Sequence, residues 1–115
     1  MTDRLTSDEN GQFWDLASEL MGSDNRLSEG TIMSSRCLRI AGARGKAEFL
    51  AMPHHLEDGL VVKLPRDRVG ELIEAGTAES FAPAGKVFKE WAAVMTYNED
   101  LWRSLLHESI SFLGV

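Results

Sequence analysis

Thiols are almost absent from this chain, which carries one cysteine, Cys37. An internal disulfide is therefore excluded, and a lone thiol fits a reducing, cytoplasmic setting. No Cys-x-x-Cys pair, zinc-finger spacing or haem-attachment motif is present. No run approaches the roughly 20 consecutive apolar residues that a membrane-spanning helix needs, so no membrane association is expected. The opening MTDRLTSDENGQ is polar and acidic where a secretory leader is apolar, which argues against export. Also missing are a Gly-x-Ser-x-Gly elbow, a phosphate-binding loop, a dinucleotide fingerprint and a paired-carboxylate signature. The expectation is a non-enzymatic protein with no cofactor.

Positive charge is scarce as well. Lys and Arg number 12 against 18 Asp and Glu, a formal net charge of −6. That balance disfavours binding to duplex DNA, where affinity comes largely from neutralised phosphates. The charge is uneven, however. Arg36, Arg39, Arg44 and Lys46 lie close together, while Asp3, Asp8, Glu9, Asp15, Glu19 and Asp24 load the first segment with acid. The stretch from 36 to 46 is thus the candidate nucleic-acid patch, against the plainer reading of solvated strand edges and a turn.

What the chain does hold is the pattern of one α+β domain spanning residues 1–115. Its length suits a single core that buries roughly two-thirds of the unfolded surface. Thr6 and Glu9 have capping-box spacing, Phe13, Leu16, Ala17 and Leu20 form one apolar stripe, and Gly22 suits a helix end. A first helix is expected over about 7–21. Residues 30–53 read as two antiparallel strands joined by Gly42-Ala43-Arg44-Gly45, and Asp58-Gly59 turns the chain into a third strand over 59–64.

In that third strand Leu60, Val62 and Leu64 share one face and Val61 and Lys63 the other. If helices cover only the first set, Lys63 stands on an open face. Pro65 stops the strand and suits the first turn of the next helix, where Val69, Leu72 and Ile73 form the apolar side and Gly76 the close. Gly70 costs that helix about 1 kcal/mol relative to alanine. A short strand near 80–82 and a longer one over 86–94 follow. Alternation in the longer one separates Phe88, Ala92 and Val94 from Lys89, Trp91 and Ala93. A last helix over about 97–113 opens with capping-box spacing at Thr96 and Glu99 and carries Leu101, Leu105 and Phe112 beside a row of Trp102, Leu106, Ile110 and Leu113. The order is α-β-β-β-α-β-β-α, a two-layer fold with a five-stranded antiparallel sheet and helices mainly on one face.

The ordered set "LVVKLP" with Lys63, the helix closing at Gly76, Phe81 and Pro83, and "KEW" at Lys89, Glu90 and Trp91 is similar to the TfoX/Sxy N-terminal domain family and the related YjbR/MmcQ-like proteins. The resemblance covers about residues 30–113. It departs from the family's frequent Met-Phe-Gly near Ile32-Met33-Ser34. The resemblance implies a secretion-chaperone-like fold with a curved antiparallel sheet, no established enzyme activity, a link to competence regulation and, for YjbR-like members, a DNA-binding label.

Four groups of residues are candidate sites. Lys63, Lys89 and Trp91, with Arg39 from the first strand, are expected on the open sheet face, where cations beside an indole suit an anionic partner or a stacked base. The competing reading packs Trp91 away while the lysines snorkel. His54 and His55, with Glu57 and Asp58, are weak metal candidates, more simply a polar turn. Cys37 is a small core residue or, less simply, a nucleophile. Trp91, Val61 and the Trp102 row are a candidate homodimer surface. The expected partner is an unidentified protein or a second copy of the chain.

Overall fold

A computed structural model describes residues 3–32, 35–41, 47–54, 59–82 and 85–114, with side chains from residue 11 onward. The first helix, α1, runs Asp3–Ser23 and is longer than expected at both ends. It is already helical at Asp3, so Thr6 does not begin it, and Gly22 lies within its last turn rather than beyond it. The Thr6 and Glu9 side chains are outside the described residues. The predicted stripe is correct: Phe13, Leu16, Ala17 and Leu20 are all buried.

Next come β1 (Leu27–Ile32), β2 (Ser35–Ala41), β3 (Ala47–Pro53) and β4 (Leu60–Lys63), then α2 (Arg66–Glu74), β5 (Glu79–Phe81), β6 (Phe88–Val94) and α3 (Glu99–Leu113). The described residues therefore form six strands where five were expected, in the order α-β-β-β-β-α-β-β-α. The extra strand is β1. It pairs with β2 from Leu27↔Ile40 to Ile32↔Ser35, and only Leu27 is buried. An edge strand of Leu-Ser-Glu-Gly-Thr-Ile shows no apolar alternation, because its order comes from backbone pairing rather than from a core face.

All pairings are antiparallel, in the sheet order β1-β2-β3-β4-β6-β5. The expected local meander is present in β2, β3 and β4. The chain then leaves the sheet for α2, turns back as the edge strand β5, and inserts β6 beside β4.

All three helices pack on one side. Leu60, Val62 and Leu64 form a single buried cluster with Leu38, Ile40 and Leu50 from the sheet, Phe13 and Leu16 from α1, Val69 and Leu72 from α2, and Trp102, Leu105 and Leu106 from α3. A bulge where β2 meets β3 lets Leu50 and Ala51 both face this side. Fully burying a leucine or valine of this kind is worth about 1.5–3 kcal/mol. No described helix packs on the other side of the sheet, but that side is not the wet face expected from the sequence. Cys37, Phe49, Met52, Val61, Phe81 and Ala93 form a second buried cluster there. Val61 is 0% exposed and Trp102 is 1% exposed, so neither is open to a second copy of the chain.

Ion pairs join the helices at their rims. Arg103 reaches Glu19 across α3 and α1 at 3.0 Å, and Arg68 holds both carboxylate oxygens of Glu108 at 2.9 and 3.2 Å. Arg26 donates to the Gly114 carbonyl and to Asp24, whose carboxyl it holds down to about 2. No described helix is long and apolar enough to cross a membrane.

Pro65, with φ −56°, precedes α2 without a side-chain cap, and Gly76 closes it at φ +78°, a conformation that disfavours residues with a Cβ. Helix α3 starts two residues later than expected. Its N-cap is Asn98, whose side chain accepts a hydrogen bond from the Leu101 N–H at 2.9 Å. Thr96 contributes its backbone carbonyl, which accepts from the Trp102 indole at 3.1 Å.

Three substitutions have expected outcomes in urea titration. Asn98→Ala lowers stability by about 1 kcal/mol, whereas Thr96→Ala changes it by less than about 0.5 kcal/mol. Gly70 is exposed and an added Cβ there meets nothing within 4 Å, so Gly70→Ala raises stability by about 1 kcal/mol.

Candidate functional site

The helix-free side of the sheet is built around Trp91. Its ring centroid lies 4.3 Å from that of Phe49, 4.7 Å from Phe88 and 5.4 Å from Phe81, with interplanar angles of 27°, 23° and 24°. Stacked pairs of this kind add about 0.5–1.5 kcal/mol each beyond the area they bury. Three strands supply the rings of the layer. Phe49 comes from β3, Phe81 from β5, and Phe88 and Trp91 from β6, while Val61 of β4 lies beneath among Met52 and Ala93.

Strict alternation places Phe88 and Trp91 on opposite faces, yet they stack. The β5–β6 register explains this, since Ser80 pairs with Ala92 but Phe81 pairs with Phe88. The irregularity turns Phe88 onto the aromatic side, which corrects its expected grouping with Ala92 and Val94. Trp91 itself is half-buried, and its strand partner is Lys63.

Two adjoining depressions open beside this layer. One, about 230 Å³, lies between α2 and β6 and is lined by Val69, Gly70 and Ile73 on one side and Ser80, Val87 and Phe88 on the other. Ile73 is 37% exposed and Val87 49%, the large apolar side chains most open to solvent among the described residues. The second, about 330 Å³, is lined by Lys63 and Glu90. Arg66, Phe88, Lys89 and Trp91 border both.

Cations are treated in two ways in this fold, and Arg39 and Lys86 share with those at the depressions the lack of an ion pair among the described residues. Arg26, Arg36, Arg68 and Arg103 each make an ion pair with a carboxylate. Lys63, Arg66 and Lys89 make none among the described residues. Three uncompensated cations and one carboxylate, Glu90, therefore surround an apolar hollow in a chain of net charge −6.

Of the four residues expected on the open face, Lys63, Lys89 and Trp91 come together at the second depression. Arg39 is on the same side but on β2, with β3 between it and Lys63. Its stem lies over Gly30, where an added Cβ would meet the Arg39 side chain at 2.2 Å, and its guanidinium donates to the Ala47 carbonyl at 3.0 Å. Arg36 is on the helix side, over the Trp14 ring of α1 at 4.2 Å and ion-paired with Glu29. Arg36 and Arg39 thus stand on opposite sides of the sheet and do not form one patch. Arg44 and Lys46 lie outside the described residues, as do Pro83, His55, Glu57 and Asp58. His54 packs edge-on against Phe81 at 5.9 Å. Among the described residues no three His, Cys, Asp or Glu side chains gather as a metal site needs.

Arg66, Ile73, Val87, Phe49 and Phe88 were missed in the sequence. Arg66 and Ile73 sit in an ordinary amphipathic helix, and no local signal reveals that this helix stands off from β6 along one edge. No family model, curated protein or solved structure matches this chain.

Cys37 is fully buried in the second cluster, next to Gly30 in the pairing. Burial pushes its thiol up, against opposing contributions from Arg39 and a Gly30 backbone hydrogen bond. A raised thiol pKa means the folded chain keeps a proton that the unfolded chain loses, so stability falls as pH rises past the unfolded thiol's pKa of about 8.5. The expected result is no reaction of Cys37 with a disulfide reagent in the native protein. Reaction should appear along the unfolding transition, and prompt labelling of the native chain would contradict this burial.

Proposed function

We propose that this chain is a small, cytoplasmic, non-enzymatic binding domain of TfoX N-terminal type, acting by protein–protein contact at the aromatic layer and the depressions beside it. The observation that carries this reading is the convergence of Lys63, Arg66 and Lys89 on Trp91, while four other arginines are paired. Free cations beside exposed apolar area and stacked rings suit recognition of an anionic, partly apolar partner. The positions that carry the family resemblance add support. Lys63 of "LVVKLP" and Lys89, Glu90 and Trp91 of "KEW" all line the second depression.

The alternative, a nucleic-acid binder using residues 36–46, is weakened by the placement of Arg36 against α1 and Arg39 on the opposite side. A homodimer through the site is also weakened, because a two-fold axis there brings like charges together, and like-charge juxtaposition costs several kcal/mol.

The test is capture from native cell extract by the tagged wild-type chain and by a Lys63→Glu/Lys89→Glu variant, with and without nuclease. Proteins held by wild type after nuclease treatment should be lost from the variant. Equal retention by both chains, or retention only without nuclease, sinks the reading.

A further inference from the structure

The hollow between α2 and β6 has features that packing within the chain does not explain. Gly70 sits in the middle of a helix, exposed, with nothing within 4 Å of an added Cβ, so no close approach requires glycine there. Gly70 is one of the residues lining the hollow and presents bare backbone there. Ile73 and Val87 face the same space and leave apolar area in water.

Size narrows the ligand. At about 230 Å³ the hollow, taken apart from the charged depression of about 330 Å³ that adjoins it, falls below the roughly 300–1,000 Å³ of sites that enclose a drug-sized molecule. It is large enough for one apolar side chain. Charge narrows it further, since Arg66 and Lys89 border the hollow and Lys63 stands beyond Trp91, with Glu90 the opposing carboxylate.

We propose that this hollow receives a single apolar side chain from an acidic peptide segment of a partner protein, with carboxylates flanking that anchor met by Arg66, Lys89 and Lys63. The inference rests on the binding-domain reading above and adds the chemistry of the partner. A second copy of the chain is the weaker occupant because the cationic rim repels itself across a two-fold axis.

The experiment titrates the full chain into short fluorescein-labelled peptides and follows anisotropy. Each peptide carries one leucine, phenylalanine or tryptophan between runs of aspartate and glutamate. Matched controls replace the anchor by serine, or the acids by their amides, and labelled oligothymidylate is a separate probe. At least one anchored acidic peptide should bind, and either control should weaken that binding about tenfold or more. Gly70→Met, which adds a long flexible side chain to the wall of the hollow, should cause a similar loss with no fall in the urea midpoint. Arg66→Glu should do the same through charge.

No binding by any anchored acidic peptide at about 1 mM chain overturns the proposal. So does equal binding of the serine control, or full binding by Gly70→Met. Oligothymidylate binding more tightly than every peptide also overturns it, and assigns the face to nucleic acid. If extract proteins are lost from Lys63→Glu/Lys89→Glu but retained by Gly70→Met, the peptide-anchor proposal falls while the binding-domain reading stands.

Discussion

The antiparallel pairing of β4 with β6 is the constraint on which the rest of this molecule depends. Four registered pairs, Leu60↔Val94, Val61↔Ala93, Val62↔Ala92 and Lys63↔Trp91, join strands separated in sequence by a whole helix and an edge strand. The Leu64 N–H continues the ladder to the Glu90 carbonyl at 2.8 Å. That pairing sets which residues face the helices and brings Lys63 beside Trp91. It also holds α2 against β6, because α2 is the connection that must cross back over the sheet. A slip of one residue would turn every side chain of β6 to the wrong face.

The sheet is sealed differently on its two sides. On one, three helices supply leucines and a tryptophan to a continuous core. On the other, the strands cover themselves with their own rings, and Trp91 joins side chains from three strands into one layer. Rings laid over a sheet cover less area than a helix does. The layer therefore buries Val61, Cys37 and Met52 completely or nearly so while Trp91 stays half-buried and the edge toward α2 stays open. Where the self-made cover ends, apolar surface and unpaired charge lie next to each other.

Charge pairing follows the same division. Arg68 and Arg103 connect helices through Glu108 and Glu19, and Arg26 connects the first turn to the C-terminal end of α3. These pairs are exposed and screened, so each contributes little to stability. Their effect is rather to neutralise Arg68 and Arg103 on the helices, while Arg66 at the start of α2 is left without an ion pair among the described residues. Lys63, Arg66 and Lys89 make no such pair among the described residues, although Glu90 lines the same depression.

Sequence alone determined the helices, the β2–β3–β4 meander, the split of Leu60, Val62 and Leu64 from Val61 and Lys63, and the breaks at Pro65 and Gly76. Each rests on short-range physics: period, proline geometry, or glycine at positive φ. Strand β1 was not legible, since an edge strand can form from backbone pairing with almost no apolar signature. The turn of Phe88 onto the Trp91 face was hidden too, because a register irregularity belongs to two strands at once. Only tertiary structure decided which cations are neutralised and that Arg36 and Arg39 face opposite ways. It alone decided that α2 leaves a hollow beside β6, because charge pairing and cavity shape arise between elements distant in the chain, and no local pattern encodes that distance.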